Sequence, residues 1–266
     1  MTLRPLLPAL ALLLTLNLRA QPAEEVPFVT TPDNVTLALL RLAGVGATDH
    51  VIDLGSGDGR IVITAARRFG AGGLGVEIVP DLVARSRDTA AKAGVAGRVE
   101  FREQDLFQTD LSRATVVTMY LLPEVNLQLR PRLLQLAAGT RIVSHDWDMG
   151  DWAPDETLTV AAPDKKIGLE KTSRLHRWVV PARVAGLWCG PGGRELRLVQ
   201  QYQAVQGRWR HGSRERALQG RLDGARLQLL GESLQLQGRA DGERLVLSGR
   251  GPHATLERHA GERCPT

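Results

Sequence analysis

A glycine-rich loop between a buried strand and a helix constrains this chain more than any other feature. Residues 53–60 read DLGSGDGR. The apolar run 50–54 before the loop predicts a strand, and the spacing of apolar residues in 60–69 predicts a helix. Glycines let a backbone turn sharply and come close to a ligand, and free N–H groups at the start of a helix bind a carboxylate. The loop therefore predicts an α/β fold with a nucleotide-like ligand at the carboxyl ends of its strands.

Acidic side chains in this loop and after the next two predicted strands indicate the class of ligand. Dinucleotide-binding loops prefer the spacing GxGxxG and present no acid to a pyrophosphate. Here Asp53 and Asp58 flank the glycines, and two carboxylates suit a ligand with cationic amino and sulfonium groups. These properties predict S-adenosylmethionine (SAM) as the cofactor.

The order of the remaining acids supports that cofactor. Glu77 ends the second predicted strand, 24 residues after Asp53, where an acid can accept hydrogen bonds from both ribose hydroxyls. Asp105 follows the third strand, at a position where SAM-binding enzymes commonly hold the adenine amino group. Each acid alone is more often a helix cap or an exposed loop residue, but together, at successive strand ends, they indicate a site. The candidate cofactor-binding residues from this pattern are Asp53, Gly55, Ser56, Gly57, Asp58, Gly59, Glu77 and Asp105.

Strand and helix patterns alternate through residue 145 and predict parallel βαβ units. After them, two strand patterns follow each other without a helix, at residues 157–162 and 175–181. The prediction is a Rossmann-like α/β domain over residues 26–185, whose seven-stranded sheet ends in an antiparallel pair. That is the architecture of class I methyltransferases.

Three segments carry a resemblance to a known family: PFVTTP at 27–32, the DLGSGDGR loop, and YLLPE at 120–124. Over about residues 27–150 the chain resembles the seven-strand protein-lysine methyltransferases related to the lysine methyltransferase of the ATP synthase c-subunit. More distantly it is similar to the non-SET histone lysine methyltransferases. The resemblance implies that Thr31 and Pro32 help to cover the methionine end of SAM. It also implies that the loop after the fourth strand lines the acceptor site and that the acceptor is a lysine of a protein.

The candidate catalytic residues are Tyr120, Glu124, His145 and Asp146. Residues 120–124 lack the Asn/Asp-Pro-Pro-Tyr arrangement of many amide and nucleobase methyltransferases. An amine acceptor must lose a proton before an in-line displacement, and a nearby carboxylate, imidazole or phenol can assist. The sequence does not single one out. Tyr120 and Glu124 also have a purely structural explanation, in strand-end packing and in helix N-terminal charge. No metal is expected at residues 145–148, which read HDWD, because contiguous residues on an extended chain point alternately to opposite faces.

The chain from residue 186 to 266 changes to a period of two, which is typical of antiparallel strands. LQGRLDGARLQL at 218–229 recurs as LQGRADGERLVL at 236–247, and each copy holds an Asp-Gly hairpin signal. This predicts an antiparallel β meander or partial barrel of about five strands.

Residues 186–266 hold 13 Arg, no Lys and 8 acids, so the charge of this segment, 13 − 8 = +5, equals the net charge of the whole chain. An anionic surface or a protein is the expected partner of such a surface.

The first 20 residues predict a secretory signal, with a single early Arg4, an apolar run and A-x-A-like spacing at its end. The apolar run of about 11 residues is shorter than the roughly 20 that span a bilayer. A periplasmic or secreted protein without a transmembrane segment is therefore expected, or a cytoplasmic or membrane-anchored one if the signal is uncleaved. Cys189 and Cys264 bracket the final segment and are either a disulfide or two unpaired thiols.

Two other functions remain open from the sequence. An exported binding protein could reuse the methyltransferase fold and interact through its arginine-rich β segment. A nucleic-acid methyltransferase could use the same arginines as a basic guide, although nucleic acid is the less favoured partner because few aromatics are interleaved with them and the chain is predicted to be exported. The enzyme is preferred because a binding protein has little physical need for all of Asp53, Glu77 and Asp105.

Overall fold

The computed structural model describes residues 28–166, 170–248 and 252–265. The predicted signal at residues 1–20 lies outside this part of the chain. Among the described residues, no helix has the length and apolar character needed to cross a bilayer.

The first part of the chain forms a seven-stranded sheet flanked by helices, which we call the sheet unit (residues 28–185). Its strands run in the order β3-β2-β1-β4-β5-β7-β6, with β1 to β5 parallel and β7 antiparallel to both of its neighbours. This confirms the predicted Rossmann-like methyltransferase sheet. The strands are β1 His50–Leu54, β2 Gly72–Glu77, β3 Val99–Glu103, β4 Val116–Met119, β5 Arg141–His145, β6 Glu156–Ala161 and β7 Thr172–Val179. The helices are α1 Asp33–Leu42, α2 Arg60–Phe69, α3 Pro80–Lys92 and α4 Pro123–Leu133, with a 3₁₀ turn at Leu106–Gln108.

Strand β1 lies at the point where the strand order reverses. It pairs with β2 on one side and with β4 on the other, and all four residues of β4 are buried. Helices cover both faces of a parallel sheet, so its central strands are apolar without alternation. A crevice opens beyond the carboxyl ends of the strands at such a reversal, and the DLGSGDGR loop is at this place.

The second part of the chain forms a closed eight-stranded antiparallel barrel, which we call the barrel unit (residues 186–265). Its interior is filled by leucines together with Trp188 and Trp209. The prediction of about five strands in a partial barrel was wrong in number and in closure. The ring closes where the first and last strands pair, and such a long-range contact leaves no local pattern. The strands are β8 Gly186–Gly190, β9 Arg194–Gln201, β10 Ala204–His211, β11 Arg214–Asp223, β12 Arg226–Leu230, β13 Gln235–Asp241, β14 Arg244–Ser248 and β15 Ala254–His259.

A disulfide joins Cys189 and Cys264, whose Cα atoms are 5.6 Å apart. This confirms the bonded alternative over two free thiols. Cys189 lies on β8 and pairs across the closing seam of the barrel with β15. The bond therefore ties the segment after the last strand to the first strand of the barrel unit.

The two units meet at Trp152, which is fully buried. Its ring stacks on Tyr202, and its indole N–H donates to the Gln203 side chain at 2.9 Å. Arg221 of the barrel unit forms an ion pair of 2.7 Å with Asp155. Trp152 therefore lies in the junction between the units. Trp147, by contrast, is 44% exposed.

Candidate functional site

The DLGSGDGR loop has the backbone conformation that its glycines permit. Gly55, Gly57 and Gly59 all have positive φ angles, of 72°, 54° and 76°. A Cβ on Gly57 would lie 2.3 Å from the Phe28 ring, and one on Gly55 would lie 2.8 Å from the Leu121 side chain. The loop is therefore enclosed by the N-terminal segment on one side and by the loop after β4 on the other.

Two buried polar atoms beside this loop have no hydrogen-bond partner within the described residues: Asp53 Oδ2 and Ser56 Oγ. Asp53 is the penultimate residue of β1, is 1% exposed, and accepts a hydrogen bond from the Thr118 hydroxyl through its other oxygen at 2.6 Å. Burial raises the pKa of Asp53 to about 7, with the charges of Glu77 and Asp58 adding to the shift and the Thr118 bond opposing it. A buried polar atom without a partner is costly, so both atoms fit a site completed by a polar, cationic ligand such as SAM.

Glu77 fixes the loop through its carboxylate. One oxygen accepts from the Gly57 N–H at 2.9 Å, and the other accepts from the N–H groups of Ile78 and Val79 at 2.8 and 3.1 Å. A carboxylate has about four acceptor positions, so three of them are used. The position at the end of β2 is the predicted one, but a ribose bound through both hydroxyls would have to share or displace one of these backbone bonds.

Asp58 does not present a free carboxylate to a ligand. Both of its oxygens accept from the Arg60 guanidinium, at 2.9 and 2.6 Å. Burial alone would raise the pKa of Asp58, but the hydrogen bonds and charge of Arg60 hold it below its ordinary value. This ion pair holds the N-terminal segment, because Arg60 also donates to the Thr31 carbonyl at 2.9 Å. A contact of Asp58 with SAM stays a prediction.

Three further residues were predicted to bind the cofactor: Thr31, Pro32 and Asp105. Thr31 and Pro32 are buried, and Pro32 precedes the first turn of α1. Asp105 follows β3 as expected, and its side chain caps the 3₁₀ turn by accepting from the Phe107 N–H at 2.8 Å. A contact of Asp105 with adenine stays a prediction.

His145 links the ends of β4 and β5 to the N-terminal segment. It is fully buried, its ring stacks on Tyr120 at 3.9 Å, and its two nitrogens lie 3.1 Å from the Thr31 hydroxyl and 2.7 Å from the Ser173 hydroxyl. Burial lowers the pKa of His145 to about 4, although the charge of Asp146 acts in the opposite direction. Both ring nitrogens are therefore within hydrogen-bond distance of a hydroxyl, and the general-base role considered for His145 stays a prediction.

Asp146, Tyr120 and Lys165 form a second group, which we call the acceptor cluster. Asp146 has a left-handed backbone, with φ of 66°, directly after β5. Its Oδ2 accepts from the Tyr120 hydroxyl at 3.3 Å and lies 2.8 Å from Lys165 Nζ, while Oδ1 accepts from the Arg174 N–H at 3.0 Å. Burial, followed by the charge of Asp146, raises the pKa of Tyr120 to about 12, so the phenol keeps its proton and donates it.

Glu124 is separate from the acceptor cluster. It lies in the first turn of α4 and is exposed, and in the described part of the chain its side chain makes no hydrogen bond or ion pair. Of the four predicted catalytic residues, the structure brings together Tyr120, His145 and Asp146 and leaves Glu124 outside.

Three residues of this region were not predicted as site residues. Arg60 is the last residue of the loop motif, and Phe28 lies in the segment that carries the family resemblance, so both had a signal in the sequence. Lys165 had none, because it reaches Asp146 from the connection between β6 and β7.

Comparisons with known proteins agree on the kind of domain. The ANTKMT methyltransferase domain matches residues 53–156. A protein-lysine N-methyltransferase of Saccharolobus islandicus is 44% identical over 138 residues, which cover 51% of this chain and 86% of that protein. The lysine N-methyltransferase of the ATP synthase c-subunit from Mus musculus is 38% identical over 108 residues, 40% of this chain; the match spans less than half of the mouse protein, 43%.

A solved structure extends the agreement to three dimensions. The RNA methyltransferase of Salinibacter ruber, in complex with S-adenosyl-L-homocysteine, is 52% identical with a TM-score of 0.54. The match covers 59% of this chain and 96% of that chain. Nearly the whole of that protein is therefore matched by about three-fifths of this one.

Proposed function

This chain belongs to the class I SAM-dependent methyltransferases, in the family of the Saccharolobus islandicus protein-lysine methyltransferase and the enzyme acting on the ATP synthase c-subunit, and we propose that its acceptor is a lysine of a protein. The single observation that carries the proposal is the 44% identity to a protein-lysine N-methyltransferase over most of that protein's length. The acceptor cluster supports it, because a half-buried carboxylate beside a phenol suits an aliphatic ammonium.

SAM supplies a methyl group on a sulfonium, which is the electrophile of the reaction. The chain's own residues hold and shield it. Gly55 and Gly57 allow close approach of the backbone, and Asp53 and Ser56 offer the unpartnered polar atoms. Phe28 lies against Gly57 and Leu121 lies against Gly55, so the two side chains flank the loop.

The acceptor side has to align an amine and take its proton. We propose that Asp146 does so, because its carboxylate lies at the end of β5, next to the strand whose loop encloses the cofactor site. Tyr120 and His145 form a stacked wall that orients the amine. In this proposal Glu124 is a surface residue, and export of the protein, as its N-terminal sequence suggests, places the reaction outside the cytoplasm.

RNA is the second candidate acceptor, because the Salinibacter ruber relative is an RNA methyltransferase. We favour lysine because the loop at 120–124 lacks the Asn/Asp-Pro-Pro-Tyr arrangement that holds a planar amine. The binding-protein alternative finds no support in the comparisons, and the unpartnered atoms of Asp53 and Ser56 argue for a retained ligand.

The test is transfer of radiolabel from SAM to an envelope extract by the purified chain. Lysine residues of protein bands should be labelled. Asp146→Asn should reduce the labelling at least tenfold with little change in SAM affinity, because it removes the proton acceptor but no cofactor contact. Asp148→Asn is the matched control, since Asp148 lies two residues further on and is exposed. Glu124→Ala, measured beside it, should have a small effect.

The outcomes separate the alternatives. Label confined to RNA would overturn the lysine assignment and leave the methyltransferase intact. A larger loss for Glu124→Ala than for Asp146→Asn would exchange the roles of these two acids. The export part of the proposal is checked separately by the mature N-terminus from fractionated cells, which should be Gln21 in the periplasmic fraction.

A further inference from the structure

We propose that Lys165 occupies the place of the substrate ammonium in the acceptor cluster, so that an acceptor lysine binds by displacing it. The inference rests on the proposed lysine function. Lys165 is then an intramolecular competitor of the acceptor lysine, and no sequence motif predicts this role.

The contacts of Lys165 are those of a bound ammonium. Nζ lies 2.8 Å from Asp146 Oδ2 and donates to the Thr172 carbonyl at 2.8 Å. The side chains of Lys165 and Asp146 are 13% and 17% exposed. Lysine is rarely buried unless its charge is paired, and here the paired carboxylate is Asp146.

The location is the side of the sheet where an acceptor has to approach. The Tyr120 hydroxyl donates to the same Asp146 oxygen, and Tyr120 directly follows β4. The next residue, Leu121, lies against Gly55 of the cofactor loop. The carboxylate that holds Lys165 is therefore at the end of the strand next to β4, beside the crevice in which SAM binds.

The carboxylate has no room for a second ammonium. Asp146 Oδ1 accepts from the Arg174 N–H, and Oδ2 already receives the Tyr120 hydroxyl and Lys165. Another cation on Oδ2 would lie within a few ångströms of Lys165 Nζ, where like charges repel strongly in a half-buried site. An acceptor lysine must therefore exchange with Lys165.

A positioning role for Lys165 makes the opposite prediction. If Lys165 served only to orient Asp146, its loss would weaken acceptor binding and slow transfer. If it competes with the acceptor, its loss strengthens acceptor binding. The sign of the change decides between the two roles.

The experiment measures binding of n-butylamine, which is the lysine side chain without its backbone, to the full chain saturated with S-adenosylhomocysteine. Lys165→Met should bind n-butylamine at least fivefold more tightly than the wild type, because the carboxylate is vacated while the aliphatic stem is kept. Lys165→Arg retains the cation and should stay within twofold of the wild type. n-Butanol, an uncharged probe of similar shape, should bind all three proteins alike.

A second variant guards against misfolding of the first. Lys165→Gln keeps a donor for the Thr172 carbonyl and removes the charge, so it should reproduce the gain. In lysine labelling, the KM for the acceptor should fall by a similar factor, with kcat not reduced.

Unchanged or weaker n-butylamine binding in both neutral variants, each with a native circular dichroism spectrum, would overturn the inference. So would a lower kcat with an unchanged KM, which is the signature of a positioning residue. Failure of the proposed function has a different signature: wild-type protein would label no lysine, whereas n-butylamine binding is read without any transfer.

Discussion

The sheet unit and the barrel unit treat their buried polar groups differently. Among the described residues, five buried side-chain atoms lack a hydrogen-bond partner, and all five belong to the sheet unit: Thr36 Oγ1, Asp53 Oδ2, Ser56 Oγ, Asn126 Oδ1 and Arg177 Nε. The interior of the barrel unit is apolar, and its one buried carboxylate in the described chain, Glu195, is paired with Arg210. Unsatisfied buried groups are rare in native proteins, and two of these five, Asp53 Oδ2 and Ser56 Oγ, lie in the DLGSGDGR loop.

Backbone strain, unlike the unpartnered atoms, is found once in each unit of the described chain. The non-glycine residues with positive φ in the described chain are Asp146, in the acceptor cluster, and Tyr202, in the turn that contacts Trp152. Strain of this kind persists only where the surroundings enforce it and is concentrated at functional sites. The comparison teaches that the carboxyl edge of the sheet is built to bind, whereas the barrel is built to be stable and touches the sheet unit at a defined junction.

The largest effect expected from breaking this contrast is on stability alone. Replacing both Cys189 and Cys264 by Ala should lower the free energy of unfolding by about 4 kcal/mol, because a cross-link that closes a long loop restricts the unfolded chain. SAM affinity should stay within twofold of the wild type. Urea titration followed by circular dichroism measures the first quantity and calorimetry the second. Lost affinity without lost stability would mean that the barrel completes the cofactor site.

The second effect is on binding. Gly57→Ala should weaken SAM binding at least a hundredfold, about 2.8 kcal/mol, because a Cβ there is strained by the φ of 54° and collides with Phe28. Gly94→Ala is the matched control: its φ is 70°, but no atom lies within 4 Å of the added Cβ. It should lose some stability and bind SAM normally. Calorimetry on both folded variants tests this, and equal affinities would remove Gly57 from the site.

The smallest effect is a pH dependence of the cofactor site. The pKa of Asp53 is raised to about 7, so at pH 6 most of the free protein carries a proton on this carboxyl. A cationic ligand favours the ionised form, and SAM affinity should therefore rise about tenfold from pH 6 to pH 8 and level off above the pKa. Asp53→Asn should remove this part of the dependence, while titration of SAM itself is common to both proteins. Parallel pH profiles for the two proteins would show that the ionisation of Asp53 is not coupled to SAM binding.

The cofactor edge of the sheet was largely predictable from the sequence because its determinants are contiguous. The DLGSGDGR loop lies at the end of β1, Glu77 ends β2, and Asp105 follows β3. In a parallel sheet, consecutive strands bring their carboxyl ends to one edge, so the order of residues along the chain already places them together. The seven-stranded sheet, the SAM cofactor and the methyltransferase family were predicted on this basis. The structure and the comparisons with known proteins confirmed them.

What the sequence by itself determined is thus the kind of domain, its cofactor loop and the antiparallel character of the last 81 residues, because each follows from local spacing. Only the tertiary structure decided the closure of the barrel, the ring of Phe28 over Gly57, the contact of Thr31 with His145 across 114 residues, and the pairing of Lys165 with Asp146. The sequence around each of these residues does not predict the contact that the residue makes. They form because packing of the whole sheet and barrel brings distant segments together, and local propensity does not specify which distant partner a side chain meets.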